Sequence, residues 1–383
     1  MNVVYIINVH YPFGMAATMR VRLFAEFLEN KNTKVNVIIS NQSNGNNQRF
    51  GENNGVKFST LLNNKLPTFI YYLIYPFLVF YKLFISKQEK NSNVLIIYSG
   101  INLFNLQFIV IGKLLGYKII IDAVEDHILS TENIPPLGQL NIRISDVLLP
   151  YLGFFIDGVV VISTRLMSKY RKLFKSHPIK IIPVSASNIN LPLTSNIDIH
   201  KKIKMVYSGS YGHKDGIDFL INAFVEVSKN NSNLQLLLLG GPGQNIIDKV
   251  ISTKNKNIEI FGYLPDNDYF KILGDADILC MTRVNSPYAN AGFPFKLGEY
   301  LATRKSVIVT DVSDIKRYLT DKKDCVIAKP SDTASLINAM EYLVNNPDKR
   351  SKIGLNGYKK CEIFFNPEVN GKMLLKFLKQ ISP

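Results

Sequence analysis

The feature that most constrains the fold is an alternation of short apolar runs with helical patterns, which occurs twice along the chain. In the first half, a helical pattern at Ala16–Leu28 follows the first apolar run, and similar patterns separate the later runs. Strands that alternate with helices predict a parallel, doubly wound sheet. The predicted strands are Val3–Val9, Val35–Ser40, Val94–Tyr98, Lys118–Asp122 and Gly158–Ser163.

The alternation begins again after the polar segment Asn188–Lys202. Because 383 residues exceed what one hydrophobic core usually supports, the restart predicts a second α/β domain. We place the first domain at 1–190 and the second at 191–365, with a C-terminal helix at 366–383 that packs back on the first. The predicted elements of the second domain are strands at Lys204–Ser208, Leu234–Leu239, Ile258–Phe261, Ile278–Met281, Ser306–Thr310 and Cys325–Ala328, and helices at Gly216–Lys229, Asp332–Asn345 and Asp348–Glu362.

The charge balance of the chain indicates which kinds of partner it can bind. Lysine and arginine number 45 against 30 acidic residues, a formal charge of +15 that favours nucleotides, phospholipid headgroups or nucleic acid. The lysines are scattered and no zinc-finger or RNP-like string is present, which argues against nucleic acid. Cys280, Cys325 and Cys361 lack metal-ligand spacing and are predicted to be buried in a reducing compartment. The N-terminus lacks a signal-peptide pattern, so we expect a cytoplasmic protein.

Two segments suggest contact with a membrane surface. Leu66–Tyr81 is uncharged for sixteen residues, rich in aromatic side chains and followed by Lys82, Lys87 and Lys90. It is too short for a spanning helix, which leaves a core helix or loop of the first domain, or a monotopic patch that enters the bilayer. Thr164–Lys175 is a basic amphipathic stretch that either lies against anionic lipid or forms a solvated helix face.

The loops that follow two predicted strands are candidate ligand sites. The opening loop His10–Arg20 contains Gly14 between a strand and a helix, where free N–H groups and the helix dipole favour phosphate. Its spacing is not GxGxxG, so no dinucleotide fingerprint is present. Asp122–His127 follows a strand at the edge where doubly wound folds place ligands, although a solvated acidic turn is the alternative.

The strongest chemical pattern lies in Gly292–Asp311. Glycine and proline end a loop, a helix begins near Pro294, and Glu299 follows one to two turns inside that helix. The helix N-terminus offers N–H groups to a diphosphate, to which Lys296 adds positive charge. Glu299 is placed to accept hydrogen bonds from two ribose hydroxyls. The pattern therefore predicts a site for a nucleoside diphosphate.

This segment, GFPFKLGEYLATRKSVIVTDV, resembles the donor-site segment of glycosyltransferase family 4, whose members are retaining enzymes with the GT-B fold. Met205–Gly216, Ile260–Pro265 and Cys325–Leu355 resemble further stretches of the same family. The resemblance implies an α/β fold of two Rossmann-like, doubly wound parallel-sheet domains facing across a cleft. It also implies transfer of a sugar from a UDP- or GDP-linked donor to an acceptor. The basic charge balance and the aromatic segment from Leu66 suggest that the acceptor is a glycan or polyprenyl-linked glycan, as in bacterial capsule or O-antigen assembly, with peripheral contact to an anionic membrane at the inner face.

The resemblance also assigns residues. It implies that Glu299 holds the ribose, that Gly262 and Tyr263 line the base, and that Lys214 supplies a cation to the phosphates. Ser210 stands where the family often has arginine, and Arg283 is a candidate replacement. Glu125, Asp126 and His127 are the candidates for the catalytic position. The predicted donor-binding residues are Gly14, Gly209, Ser210, Lys214, Gly262, Tyr263, Arg283, Gly292, Phe293, Phe295, Lys296, Leu297 and Glu299.

One departure from the family concerns an acid that often lies eight positions before the ribose-binding glutamate, where this chain has Ala291. The pair Asp275 and Asp277 has the spacing of a metal-binding Asp-x-Asp, but it ends a predicted helix and is interpreted as structural. The resemblance to the GT-B family implies that no essential metal and no cofactor beyond the nucleotide-sugar donor is needed. Two alternatives stay open: a nucleotide-sugar epimerase or hydrolase of the same fold, and a non-catalytic protein that binds a nucleotide sugar or polyanion.

Overall fold

The computed structural model describes residues 1–40, 49–61, 68–100, 103–129, 135–186 and 202–382. The chain divides into two compact units. Unit 1 consists of Met1–Ser185, Ala291–Phe293 and Pro367–Pro383, and unit 2 consists of Ala186–Asn290 and Pro294–Asn366. Both units are α/β structures built on a largely parallel sheet.

The described part of unit 1 contains an eight-stranded sheet in the order β3-β4-β2-β1-β5-β6-β7-β8. All neighbouring strands are parallel except β3 and β4, which form an antiparallel hairpin. The strands are β1 Asn2–Ile7, β2 Lys34–Ile39, β3 Phe50–Asn53, β4 Val56–Thr60, β5 Asn93–Tyr98, β6 Lys118–Ala123, β7 Gly158–Val161 and β8 Ile179–Ile181. The helices are α1 Ala16–Glu29, α2 Thr68–Ser86, α3 Leu103–Leu114, α4 Pro136–Leu148 and α5 Thr164–Leu173, joined by the C-terminal helix α14 Pro367–Ile381.

The described part of unit 2 contains a six-stranded parallel sheet in the order β11-β10-β9-β12-β13-β14. Its strands are β9 Ile203–Gly209, β10 Leu234–Gly240, β11 Ile258–Phe261, β12 Ile278–Met281, β13 Ser306–Thr310 and β14 Val326–Ala328. Its helices are α6 Ile217–Lys229, α7 Gln244–Thr253, α8 Asp266–Asp275, α9 Pro287–Ala291, α10 Phe295–Ala302, α11 Ile315–Tyr318, α12 Thr333–Val344 and α13 Pro347–Phe364.

The central strands are buried on both faces. Every residue of β1 and β5 is buried, as expected for parallel strands that are covered by helices on each side. This double burial explains why valine, isoleucine and leucine predominate in these strands. Most predicted strands and helices lie within two residues of the observed elements, and the predicted doubly wound architecture is confirmed.

Helix α14 packs against α1 inside unit 1. The fit is close because Gly371 has no side chain: a Cβ there would lie 2.5 Å from Cδ1 of Phe27. The buried amide of Asn370 donates a hydrogen bond of 3.0 Å to the carbonyl of Val184. Helix α14 is thus an integral layer of unit 1 although it ends the chain.

A buried ion pair fixes α1 to the sheet of unit 1. The Arg20 guanidinium donates to both carboxylate oxygens of Asp122, at 3.0 and 2.9 Å. It also donates to the carbonyls of Pro183 and Ile182, at 2.9 and 3.2 Å. All four acceptors are needed because a guanidinium without partners is costly to bury. Asp122 therefore has a structural partner, whereas the residues after it face a cavity described below.

Helix α2 accounts for most of the apolar segment Leu66–Tyr81. Leu66 and Pro67 lie outside the described residues, as do the side chains of 68–73. Beyond them one face of the helix is buried and the opposite face exposes aromatic side chains. The described part of the segment is therefore a packed helix with an exposed apolar face. Within the described ranges no helix combines the length and apolar character that crossing a membrane requires.

Candidate active site

The candidate site of unit 2 lies where the strand order of its sheet reverses. Strand β9 has β10 on one side and β12 on the other, so the chain leaves β9 and β12 in opposite directions across the sheet. Ligands of doubly wound folds bind at this switch point, beyond the carboxyl ends of the strands. The loops that begin at Gly209 and Thr282 both start there.

Helix α10 brings a lysine to this edge. Its N-cap residue, Pro294, offers no side-chain hydrogen bond to the first turn, while the Leu297 N–H donates to the Pro294 carbonyl at 3.2 Å. The Lys296 ammonium lies 5.2 Å from the ring centre of Tyr207. Burial lowers the pKa of Lys296 to about 8, with Asp215 opposing the shift and Arg283 reinforcing it. Lys296 is therefore a poorly hydrated cation at a helix N-terminus.

Glycine at position 209 makes room for that cation. A Cβ on Gly209 would lie 2.5 Å from the Lys296 ammonium nitrogen and 2.6 Å from Cζ of Tyr207. Any larger residue would push the ammonium away from the end of β9. The close approach explains the need for glycine at this predicted site residue.

Glu299 is held by a chain of hydroxyl groups. The Tyr269 hydroxyl of α8 donates to the Glu299 carboxylate at 3.2 Å and lies 3.1 Å from the Ser208 hydroxyl. Ser208 in turn donates its backbone N–H to the Tyr300 hydroxyl at 2.8 Å. Burial, with the charge of Glu299, raises the pKa of Tyr269, so this phenol stays a proton donor. The carboxylate is thereby positioned before any ligand arrives.

The loop after β9 is braced by Asp215. The Asp215 carboxylate accepts hydrogen bonds from the Gly212 N–H at 3.0 Å and the Ser210 hydroxyl at 3.3 Å. Its backbone carbonyl accepts a 2.8 Å bond from Thr282, which ties this loop to the end of β12. Ser210 is thus occupied within its own loop, a finding that limits its use as a substitute for arginine.

Lys214 and Arg283 add cationic groups to the same edge. The Lys214 ammonium donates to the Tyr288 hydroxyl at 3.1 Å and lies 4.4 Å from the centre of that ring. Arg283 follows β12, where its backbone N–H donates to the Thr310 hydroxyl at 2.7 Å. Both cations contribute to lowering the pKa of Lys296, so they lie near it. The site therefore gathers three positive side chains with two acids, Asp215 and Glu299.

Gly262 and Tyr263 follow β11, two strands from β9. The Tyr263 ring is 73% exposed. It lies over the glycine-rich turn after β10, since a Cβ on Gly241 would be 2.7 Å from its nearest carbon. Nothing within 4 Å occupies the space that a side chain on Gly262 would fill. This edge can therefore accept a flat ring against a wall of small residues.

Three predicted donor residues, Gly14, Gly292 and Phe293, belong to unit 1. A Cβ on Gly14 would meet the Thr18 side chain, whose hydroxyl donates to the His10 carbonyl at 2.5 Å. A Cβ on Gly292 would lie 3.4 Å from the Val124 carbonyl. Phe293 is buried. Unit 2 itself brings together the predicted residues Gly209, Ser210, Lys214, Arg283, Phe295, Lys296, Leu297 and Glu299.

Unit 1 has a cavity of about 340 Å³ at the corresponding edge of its own sheet. Its walls come from residues that follow β1, β5 and β6, together with α4 and α5. Strand β1 lies between β2 and β5, so this cavity also lies at a switch point. Glu125 and Asp126 line it, whereas the side chain of His127 lies outside the described residues.

Lys169 partly neutralises the acidic side chains of this cavity. Its ammonium donates to Asp126 and to Asp146, in both cases at 2.8 Å. Although burial opposes protonation, these two hydrogen bonds raise the pKa of Lys169. Glu125 is the third carboxylate of the lining. Three acids against one ammonium leave the cavity net negative.

Several residues of both sites were missed by sequence reasoning, namely Ser208, Asp215, Tyr269, Tyr300, Asp146 and Lys169. Tyr269 and Glu299 are 30 residues apart on different helices, and no spacing rule connects them. Asp146 and Lys169 likewise come from α4 and α5, and only the fold brings them together.

Asp275 and Asp277 have the structural role that was predicted for them. Helix α8 ends at Asp275. Asp277 accepts a 2.9 Å hydrogen bond from the Lys204 N–H at the start of β9. The three cysteines are buried and unpaired, also as predicted.

Comparison with known proteins identifies the type of fold and a family likeness in the second half of the chain. Residues 195–360 match the family model of glycosyl transferases group 1. Alpha-D-kanosaminyltransferase from Streptomyces kanamyceticus is 19% identical over 155 residues, which span 40% of this chain and 39% of that protein. The chain thus aligns with well under half the length of this curated relative.

Solved structures resemble the chain along almost its whole length. Sucrose-phosphate synthase from Thermosynechococcus elongatus is 16% identical with a TM-score of 0.74, covering 99% of this chain and 98% of that one. A glycosyltransferase from Rickettsia africae is 14% identical with a TM-score of 0.73, over 99% and 98%. HepE from Anabaena, solved with UDP-glucose, is 13% identical with a TM-score of 0.70, over 99% and 100%. At these identities the likeness shows the fold, which is GT-B.

Proposed function

We propose that this chain, whose residues 195–360 match the family model of glycosyl transferases group 1, moves a sugar from a nucleoside diphosphate sugar to a glycan or lipid-linked glycan. The proposal rests mainly on one observation: Lys296 and Glu299 lie together on α10, at the switch point of unit 2. Structures of HepE with UDP and with UDP-glucose lend support, since that protein has the same fold.

In this proposal Glu299 accepts hydrogen bonds from the ribose hydroxyls, while Tyr269 fixes the carboxylate. Lys296, Lys214 and the N–H groups at the start of α10 stabilise the diphosphate. Tyr263 stacks on the base at its exposed edge. Three cations against two acids give the site a net positive charge, which attracts the negative charges of a nucleoside diphosphate.

Catalysis then depends on stabilising the departing diphosphate. As the glycosidic bond to phosphate breaks, negative charge grows on the diphosphate oxygens that Lys296 and Lys214 contact. Preorganised cations in a poorly hydrated site are worth more than the same groups in water. We expect transfer with retention at the anomeric carbon and without an essential metal, as the family resemblance implies.

The cavity of unit 1 is the proposed acceptor site. Its volume of about 340 Å³ suits a sugar-sized group. Its three carboxylates and single ammonium favour a neutral, hydroxyl-rich or amine-bearing sugar over an acidic one. Glu125 and Asp126 both line this cavity and are the candidates for contact with the acceptor hydroxyl.

A role in the assembly of bacterial surface polysaccharide, at the inner face of the membrane, completes the proposal. The exposed aromatic face of α2 supports a peripheral contact with lipid, since aromatic side chains beside lysines settle at headgroup depth. The basic balance of the chain favours an anionic surface.

The test begins with thermal-shift titration of UDP, GDP, ADP and TDP against wild type and Glu299→Ala. We expect one nucleotide to stabilise the wild type and Glu299→Ala to lose that response. Transfer from the matching donor to acceptors in a membrane extract then measures activity, and proton NMR of the product reports the anomeric configuration. Donor hydrolysis with no need for acceptor would instead support the hydrolase or epimerase alternative, and binding without turnover would support a binding protein.

A further inference from the structure

A second cavity of unit 1 gathers four lysines. It has a volume of about 260 Å³ and lies between one face of the sheet and the C-terminal part of α2. Strand β2 contributes Lys34, β4 contributes Lys57, and the end of α2 contributes Lys82 and Lys87. We call it the lysine cavity. It shares no lining residue with the cavity that contains Glu125.

The lysine cavity has no acidic counterpart among the described residues. Its other polar lining residues, Asn36, Ser59 and Gln88, are neutral. None of the four lysines forms an ion pair with any acid in the described ranges. Glu52 lies opposite Lys57 in the β3–β4 hairpin but does not line the cavity. The cavity is therefore a concave site of uncompensated positive charge, which an anion would complete.

The sheet register explains why these polar groups converge. Asn36 pairs with Lys57 and Ile38 with Ser59 between the parallel strands β2 and β4, so their side chains share one face of the sheet. Lys82 reaches down from α2 and donates to the Ser59 hydroxyl at 3.3 Å. Burial also lowers the pKa of Lys82, as expected for an ammonium held where water is scarce. An anion would relieve that cost.

The cavity adjoins an exposed apolar stripe on α2. Phe77, Phe80, Tyr81, Phe84 and Ile85 follow the i, i+3, i+4, i+7, i+8 spacing of one helix face, and all are exposed. Phe84 is 59% exposed and stacks on Phe80 with ring centres 5.9 Å apart. The opposite face, with Tyr75, Val79 and Leu83, is buried in unit 1.

Ile85 belongs to both features, because it is 54% exposed on the stripe and also lines the lysine cavity. A ligand that fills the cavity would thus continue directly onto an apolar surface. An anionic phospholipid has this combination, a phosphate joined to acyl chains. Free phosphate or a nucleotide would satisfy the lysines but leave the aromatic stripe in water.

We propose that the lysine cavity binds the phosphate headgroup of an anionic phospholipid while the aromatic stripe of α2 enters the adjacent acyl region. This deepens the membrane part of the proposed function, because it assigns a specific headgroup site where that proposal needs only a basic surface. It is independent of the donor site in unit 2, so either can fail alone.

The test uses the full-length protein and vesicles of phosphatidylglycerol or phosphatidylcholine, with binding measured by sedimentation at fixed salt. We expect wild type to bind the anionic vesicles and not the neutral ones. In the cavity variant Lys57→Ala/Lys82→Ala, loss of two lysines at about 1 kcal/mol each corresponds to about 30-fold weaker partitioning. The matched variant Lys352→Ala/Lys376→Ala removes two exposed lysines elsewhere and should lose less than about threefold, because distant surface charges are screened.

Two further measurements distinguish a phospholipid from a soluble phosphate as the ligand of the cavity. Phe80→Ser/Phe84→Ser keeps every lysine and should still reduce vesicle binding at least tenfold, since it removes two exposed aromatic rings. Glycerol 3-phosphate should compete only weakly. Equal losses in the two lysine variants, equal binding to neutral vesicles, or strong competition by glycerol 3-phosphate with an unaffected Phe80/Phe84 variant would each overturn the proposal. Nucleotide-induced thermal shifts in all variants verify that unit 2 is folded and test the donor site separately.

Discussion

Replacing Tyr269 by phenylalanine gives the sharpest test of how the proposed donor site is organised. The substitution removes only the hydroxyl that donates to Glu299 at 3.2 Å and contacts Ser208 at 3.1 Å. A hydrogen bond to a charged group contributes about 1.5–3 kcal/mol. Part of this is recovered because the freed carboxylate can be hydrated, so we expect a loss of about 1–2 kcal/mol in nucleotide binding. The dissociation constant should rise about 5- to 30-fold.

A double-mutant cycle with Glu299→Gln isolates the contact. Glu299→Gln alone should weaken nucleotide binding by about 1–2 kcal/mol, because the ribose hydroxyls lose a charged acceptor. If Tyr269 acts by holding that carboxylate, its replacement costs little in the Glu299→Gln background. We therefore expect a coupling energy of about 1 kcal/mol. Isothermal titration with the nucleotide that stabilises the wild type measures all four corners of the cycle.

Tyr342→Phe in α12 is the matched control, since it removes a phenolic hydroxyl from a half-buried position outside the site. The nucleotide dissociation constant of Tyr342→Phe should equal that of the wild type. Full additivity of the two site substitutions, or unchanged binding by Tyr269→Phe, would refute the view that a preformed hydroxyl chain positions Glu299. Thermal melts of the free variants separate loss of binding from loss of fold.

Three more predictions follow from buried or crowded groups. Because Lys296 loses its proton above its pKa of about 8, nucleotide affinity should fall by up to about tenfold per pH unit above pH 8. Calorimetric titration in two buffers should detect proton uptake on binding. The variant Lys296→Arg should flatten the dependence of affinity on pH. Gly209→Ala should weaken nucleotide binding by about tenfold or more in the same titration, because the added Cβ displaces the Lys296 ammonium. The control Gly262→Ala should not disturb Lys296, because its added Cβ meets no atom within 4 Å. Arg20→Met should lower the stability of unit 1 by about 3–5 kcal/mol in urea denaturation, with partial recovery in Arg20→Met/Asp122→Leu, because the single change leaves a buried carboxylate without its partner. Equal stability of the single and double variants would contradict that account.

Much of the fold could be predicted because its sheets are parallel and buried. Strands such as β5 are unbroken apolar runs, and their boundaries fall where polar residues or glycine interrupt the run. The hairpin of β3 and β4 was missed, since Phe50–Asn53 has a single large apolar residue and lies at the sheet edge. Edge strands carry weaker hydrophobic patterns because one side meets solvent.

The residues of the candidate site could likewise be predicted only in part. Lys296 and Glu299 could be predicted because both lie on one short helix, whose start is marked by glycine and proline. The partners that orient them could not, because Tyr269 and Asp215 reach the site from other elements. Local patterns determine which groups a helix presents, but the groups that fix their geometry depend on tertiary packing.

Position 291 shows how this site departs from the pattern that the sequence resembles. Ala291 belongs to unit 1 and is fully buried, and its carbonyl accepts a 2.6 Å hydrogen bond from the Ser163 hydroxyl of the same unit. A glutamate there would have to bury a carboxylate beside a backbone that is already engaged, at a cost of several kcal/mol unless a cation paired with it. Restoring the acid alone should therefore impair the protein rather than improve it. In the proposed donor site the sugar is held by other groups, and Lys296 together with Lys214 and Arg283 is the main source of binding energy for the diphosphate that carries it.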